Sequence, residues 1–282
     1  MVGSPNRPIG WAIAAGLIVA LAACEPKAPQ ALVEATNSAK TFDPNDLDVP
    51  YLATPDTTVA AMLDIGALKP GEFVIDLGSG DGRILVTAAQ RGATGFGVDI
   101  DPKRIAEANA NAQKAGVADK VSFRRQDLFE TPLGQADLLT MYLLPEVNLQ
   151  LRPRILSEVR PGTRVVSHAF DMGGWRPDAT GDNGGVFLWI VPAAVQGSWR
   201  IRGGGVDGVL KLKQSFQDIE GTVDGKAIRD AALRGDRIDF IAATARGERR
   251  FRGIVAGDRI TPATDGAPWS EAASGWTATR VK

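Results

Sequence analysis

The stretch VIDLGSGDGRI, Val74 to Ile84, decides how the rest of the chain is read. An apolar run stops at Asp76, and Gly78, Gly80 and Gly82 alternate before the chain turns amphipathic. A dinucleotide fingerprint needs glycines spaced G-x-G-x-x-G, and the third place of that pattern is held here by Arg83. A phosphate-binding P-loop ends in G-K-[ST], which GDGR does not supply. Asp81 would also put a carboxylate at the helix N-terminus, where a phosphate would sit. The loop therefore brings backbone close to a ligand that is not a polyphosphate.

Working outward, the pattern is a strict alternation of strands and helices. TTVAAMLDIGAL (57–68) predicts a helix with a threonine cap, EFVIDLG (72–78) a buried strand, and DGRILVTAAQRG (81–92) a helix closed by a glycine. GFGVDI (95–100) is a second strand, and DPKRIAEANANAQKAG (101–116) a helix with Pro102 in its first turn. KVSFRR, ADLLTMYL, the helix PEVNLQLRPRILSEVR and the strand TRVVSHAF follow, and GVFLWIVP closes the series. This order predicts an α/β layer fold with a doubly wound, mostly parallel sheet, whose ligand site lies at the carboxyl ends of the strands.

At those ends stand residues suited to a ligand with a ribose and a cationic head. Asp76 leaves the first strand where it can meet an ammonium, and Asp99 ends the second where two oxygens can accept from both ribose hydroxyls. Asp127, after the third strand, is placed to accept from an exocyclic amine. D-x-G-x-G-x-G, an acid ending strand two and an acid after strand three resemble the class I S-adenosylmethionine-dependent methyltransferases, a Rossmann-like family. The resemblance extends through VPYLATP, GVDIDP, DLFE, YLLPEVN and LRPGTRVVSHAFDMGGW to prokaryotic relatives of the mitochondrial protein-lysine methyltransferases, over roughly residues 49–192. It implies S-adenosyl-L-methionine as cofactor, held by Asp76, Gly78, Ser79, Gly80, Asp81, Gly82, Asp99, Ile100, Asp127 and Leu128, and a protein lysine as acceptor.

Transfer of a sulfonium methyl asks a protein to align a neutral nucleophile, exclude water and let an amine lose its proton. No metal is needed. The candidates are Tyr142, Pro145 and Glu146 after the fourth strand, and His168, Asp171, Phe170 and Trp175 after the fifth. The NPPY motif usual in amide and adenine N-methyltransferases is missing there, and an aromatic-lined channel for an alkyl ammonium is the expected alternative. Tyr142 is read equally well as sheet packing, and His168 as a core histidine.

The two ends of the chain read differently. Ile9 to Ala23 is apolar but short for a spanning helix, and LAAC (21–24) resembles a bacterial lipobox, so residues 1–24 are read as a lipoprotein-type signal peptide with Cys24 as the lipidation site. Cys24 is the only cysteine, which excludes an internal disulfide. Residues 25–48 have the composition of a tether, 49–194 form the expected methyltransferase domain, and 195–282 alternate apolar and polar residues between DG, GD and GE turns. That last part is expected to be a small antiparallel sandwich or barrel with Leu210, Leu212, Phe216, Ile238, Phe240, Phe251 and Val255 inside.

With 32 basic and 33 acidic residues among 282, the chain has no general pull toward nucleic acid. Arg246, Arg249, Arg250 and Arg252 are interspersed with acids and read as a solvated face. Three readings stay open: a membrane-tethered amine or protein-lysine methyltransferase of the bacterial envelope or cytoplasm, a small-molecule or RNA methyltransferase, and a non-catalytic envelope lipoprotein with a nucleoside-binding fold.

Overall fold

The computed structural model describes residues 52–264 and 273–281. The apolar leader, Cys24 and the tether lie outside them. No helix among the described residues is long and apolar enough to cross a membrane.

The first sheet contains β1 (Phe73–Leu77), β2 (Thr94–Asp99), β3 (Val121–Arg125), β4 (Leu138–Met141), β5 (Arg164–His168), β6 (Ala179–Gly181) and β7 (Val186–Ile190). Its order is β3-β2-β1-β4-β5-β7-β6. The first five strands are parallel, and β7 runs antiparallel to β5. Winding reverses between β1 and β4, so a crevice opens at the carboxyl end of β1, where the glycine loop sits.

Helices cover both faces. Val74, Leu138 and Val166 pack under α1 (Asp56–Ile65), α2 (Arg83–Gln90) and α3 (Pro102–Lys114), whereas Ile75, Leu139 and Val165 pack against α4 (Pro145–Glu158). The one-residue alternation is the strand period at work. Pro102 opens α3 and Asp101 caps it, its side chain accepting from Lys103 N at 2.8 Å. The threonine cap expected for α1 is not made. Pro55 stands at its N-cap, and the hydroxyl of Thr58 turns instead to Asp182 Oδ2 at 2.8 Å.

The second sheet holds β8 (Gly197–Gly203), β9 (Val206–Ser215), β10 (Asp218–Val223), β11 (Lys226–Ala227), β12 (Arg229–Arg234), β13 (Arg237–Thr244), β14 (Gly247–Ala256), β15 (Arg259–Pro262) and β16 (Thr277–Arg280). Its order is β11-β10-β9-β8-β16-β15-β14-β13-β12, antiparallel throughout, and it curls until β10 lies against β12, nearly closing a barrel. The interior holds six of the seven residues expected there, together with Trp199 and Trp276. Phe216 is the correction. It sits on the turn between β9 and β10 and packs outward against the core of the first sheet, because a ring at a turn tip has no inward path.

Of the arginine strip, Arg249, Arg250 and Arg252 lie on β14, and Arg250 and Arg252 are paired with acids. Asp239 meets Arg250 at 3.2 Å and Arg252 at 2.8 Å, and Arg229 pairs with Glu248.

Candidate active site

The glycine loop has the backbone that its spacing requires. Gly78, Gly80 and Gly82 have φ of 74, 53 and 79°, all in the left-handed region that excludes most side chains. A Cβ on Gly82 would meet Phe123 at 2.6 Å and Ala108 at 2.8 Å, and one on Gly78 would meet Leu143 at 2.7 Å. The loop is pinned from outside by Asn111, whose Nδ2 donates to the Asp81 carbonyl at 2.9 Å.

Asp76 lies within β1 and is 1% exposed. Directly opposite it on β4, Thr140 donates from Oγ1 to Asp76 Oδ1 at 2.7 Å. Oδ2 is buried and has no partner among the described residues. Burial, with the nearby Asp99 and Asp81 carboxylates adding to it, pushes the carboxyl up to about 7, while the Thr140 bond pulls the other way. A buried carboxylate with one unsatisfied oxygen calls for a cation. Ser79 Oγ is likewise buried without a partner.

Asp99, at the end of β2, is oriented rather than consumed by its neighbours. Gly80 N donates to Oδ2 at 2.8 Å and Asp101 N to Oδ1 at 2.9 Å, and each oxygen keeps a second lone pair for a vicinal diol. Ile100 follows it, half-buried. Asp127 caps the short 3-10 turn Leu128–Glu130, accepting from Phe129 N through Oδ1 at 2.7 Å, which leaves Oδ2 for a ligand amine. Leu128 packs on the core beneath. Asp76, Asp99 and Asp127 stand at or just after the carboxyl ends of β1, β2 and β3, which are neighbours in the sheet.

Asp81 is placed differently from the others. It pairs with Arg83, whose Nη2 lies 2.7 Å from Oδ2, and Arg83 Nη1 donates to the Thr54 carbonyl at 2.9 Å. Its carboxylate fastens the segment before α1 to the glycine loop.

On the acceptor side, the Tyr142 ring lies 4.1 Å from His168 and 6.3 Å from Phe170, centroid to centroid. The imidazole of His168, the only histidine of the chain, lies 3.3 Å through Nδ1 from Thr54 Oγ1. Burial lowers its pKa against the pull of Asp182, so it is neutral at neutral pH. Pro145 is the first residue of α4, and Glu146 is exposed in its first turn. Asp171 is exposed and accepts from Gly173 N at 2.9 Å, so its carboxylate shapes a turn. Trp175 is fully buried and belongs to the core, not to the channel wall.

Four contributors escaped the sequence reading: Thr140, Arg83, Leu143 and Asn148. Asn148 is fully buried and donates from Nδ2 to the carbonyls of Phe170 and Asp171 at 3.2 and 3.3 Å. A threonine inside LLTM and an asparagine on the apolar face of α4 are breaks in binary pattern, and such breaks were the available signal.

A family described as "ANTKMT methyltransferase domain" matches residues 76–179. The protein-lysine N-methyltransferase of Saccharolobus islandicus is 44% identical over 131 residues, covering 46% of this chain and 81% of that protein. The adenine nucleotide translocase lysine N-methyltransferase of Mus musculus is 33% identical over 147 residues, covering 52% of this chain and 64% of its own length. Among solved structures, an RNA methyltransferase from Salinibacter ruber in complex with S-adenosyl-L-homocysteine is 47% identical with a TM-score of 0.50, covering 51% of this chain and 96% of that one. The matched family region ends at 179, before the second sheet begins.

Proposed function

The chain belongs to the ANTKMT-type, S-adenosylmethionine-dependent methyltransferases, and from that premise we propose that it transfers the methyl group to the side-chain amine of a protein lysine. The bound cofactor supplies an electrophilic methyl on a sulfonium. Asp76 Oδ2 is the acceptor for its ammonium, Asp99 for its ribose hydroxyls and Asp127 for its adenine amine, and the glycine loop lets the backbone lie against it.

The chain's own work lies on the amine. A lysine ammonium at pKa ~10.4 must lose a proton before nitrogen can attack. Tyr142 and Phe170 offer ring faces that attract the cation and shed its water, and that desolvation favours the neutral amine. His168, uncharged at neutral pH, can take the released proton and pass it to solvent.

The observation that carries the lysine reading is the sign of the rim. Glu146, in the first turn of the helix that follows Tyr142, and Asp171, next to Phe170 in the chain, are exposed, and Arg83 and Arg152 are turned to protein carboxylate and carbonyl groups. Such a rim attracts a cationic side chain and repels a polyanion. The similarity to the Salinibacter ruber protein, described as an RNA methyltransferase, gives RNA as the second reading. Incubating the full chain with methyl-labelled S-adenosylmethionine, total RNA and a cell-envelope protein fraction separates them. Methyl-lysine in the protein digest is the expected result, and label confined to RNA would overturn the reading. We propose a membrane as the place of that acceptor, a reading supported by the resemblance of LAAC (21–24) to a lipobox; acyl label on the wild-type chain that is lost in Cys24→Ser is the expected result there.

A further inference from the structure

The loop after β5 is held from both halves of the chain at once. From α4, Asn148 takes the carbonyls of Phe170 and Asp171, and Arg152 Nη1 donates to the Met172 carbonyl at 2.6 Å. From the second sheet, the turn between β9 and β10 reaches across. Phe216 stacks on Trp175 with centroids 6.1 Å apart and planes at 13°, and Gln217 Nε2 donates to the Arg176 carbonyl at 2.6 Å. The guanidinium of Arg152 lies 5.3 Å from the centre of the Phe216 ring, so both holds meet on one side chain.

Phe216 makes this contact from an unfavourable backbone. Its φ is 54°, a conformation that glycine adopts freely and a bulky aromatic rarely does. Such a residue persists where its surroundings over-determine it. The two-residue hairpin between the paired Ser215 and Asp218 itself asks for a positive φ at this position, and Gln214 Nε2 holds the Phe216 carbonyl at 2.7 Å; a phenyl ring is not what such a turn asks for, and that ring lies against the loop. Trp175 in turn is locked by Trp189, whose Nε1 donates to its carbonyl at 2.7 Å, and by the antiparallel bridge between Met172 and Trp175.

We propose that the Phe216 turn is a positioning element for methyl transfer: it sets loop 170–176 and, through Phe170, the aromatic wall beside which the acceptor amine must lie. This rests on the amine entering next to Tyr142 and Phe170. Among the described residues, the turn's hydrogen bonds and ring contacts go to that loop, to Arg152 and to its own flanking residues, and none goes to residues 76–82 or Asp99. Its effect therefore falls on acceptor turnover and not on cofactor affinity.

The test uses the full chain with Phe216→Gly, which relieves the left-handed backbone while deleting the ring, and Phe216→Tyr, which keeps the ring. Three quantities are read: amide hydrogen exchange by mass spectrometry, S-adenosylhomocysteine affinity, and the rate of methyl-lysine formation in the cell-envelope protein fraction at saturating S-adenosylmethionine. Phe216→Gly is expected to speed exchange in 170–176 while leaving 74–99 protected, to leave affinity unchanged, and to lower the maximal rate roughly 10- to 100-fold. Phe216→Tyr restores it. Unchanged exchange in 170–176 overturns the proposal, as does an unchanged rate despite faster exchange or a matching loss of affinity. If Phe216→Gly fails to fold, Phe216→Leu, which keeps apolar bulk but no stack, replaces it with the same criteria. A wild-type chain that methylates no lysine while its loop still responds to Phe216→Gly would refute the acceptor reading and leave the coupling of turn to loop standing.

Discussion

The two sheets solve the same packing problem and treat their polar groups in opposite ways. In the second sheet charged side chains pair across neighbouring strands, as in Asp239 with Arg250 and Arg252 or Lys213 with Glu220; its buried atoms without a hydrogen bond among the described residues are the neutral Trp276 Nε1 and Gln217 Oε1, and Asp239 Oδ1, which lies 3.2 Å from Arg250. In the first sheet Asp76 Oδ2, Ser79 Oγ and Asn148 Oδ1 are buried without partners among the described residues, all at the carboxyl ends of strands or the start of α4. Unsatisfied buried polar atoms cost free energy, and a fold keeps them where a ligand completes them. The contrast separates the half that buries an unpaired carboxylate from the half whose buried carboxylate faces an arginine.

The comparison breaks most visibly at Gly82. Valine there meets Phe123 and Ala108 inside contact distance and must adopt a left-handed backbone, so we expect a loss of about 2–5 kcal/mol of stability together with cofactor binding. Urea unfolding of Gly82→Val checks the first and calorimetry with S-adenosylmethionine the second; wild-type stability would mean that the loop is not the tight cradle described. Next comes Asp99→Ala, which removes the proposed acceptor for the ribose hydroxyls and should weaken binding by about 1.5–3 kcal/mol per lost charge-assisted bond. An unchanged affinity in a folded variant would remove Asp99 from the site. The smallest effect belongs to the second sheet. Lys213→Ala breaks an exposed pair with Glu220 at 3.3 Å and should cost less than about 1 kcal/mol while leaving cofactor affinity at the wild-type value. A change in affinity there would show that the second sheet reaches the cofactor, which the contrast denies.

Much of this was legible in the sequence, and for identifiable reasons. The short apolar runs between helical stretches gave β1 to β5, and the alternating glycines pointed to a close-approach loop, whose backbone is left-handed at all three. Asp76, Asp99 and Asp127 fell where expected because the ends of parallel strands converge by topology alone. Short β6 carries no such pattern in its three residues and passed unnoticed. Phe216 was misassigned because alternation along β9 counts it inward, whereas a turn breaks the alternation one residue earlier. The Asp81–Arg83 pair was also hidden: an acid two residues from an arginine reads as ligand contact or ion pair equally well until the carbonyl of Thr54 is seen to fix the arginine.

The central claim is that the buried, half-satisfied Asp76 receives the ammonium of the cofactor, and it is tested most directly by cofactor affinity as a function of pH. Burial holds the carboxyl at about 7, and a cation beside Oδ2 favours the ionised form, so below that pH binding must first expel a proton. Calorimetry with S-adenosylhomocysteine from about pH 7.5 down to about pH 5.5 should show affinity level at the top and then falling by up to about tenfold per unit. Asp76→Asn should bind more weakly at the upper end and lose most of the slope, which assigns the slope to Asp76 and not to another titrating group. Wild-type affinity that stays flat across the range, or an Asp76→Asn variant that binds as the wild type does, would contradict the account.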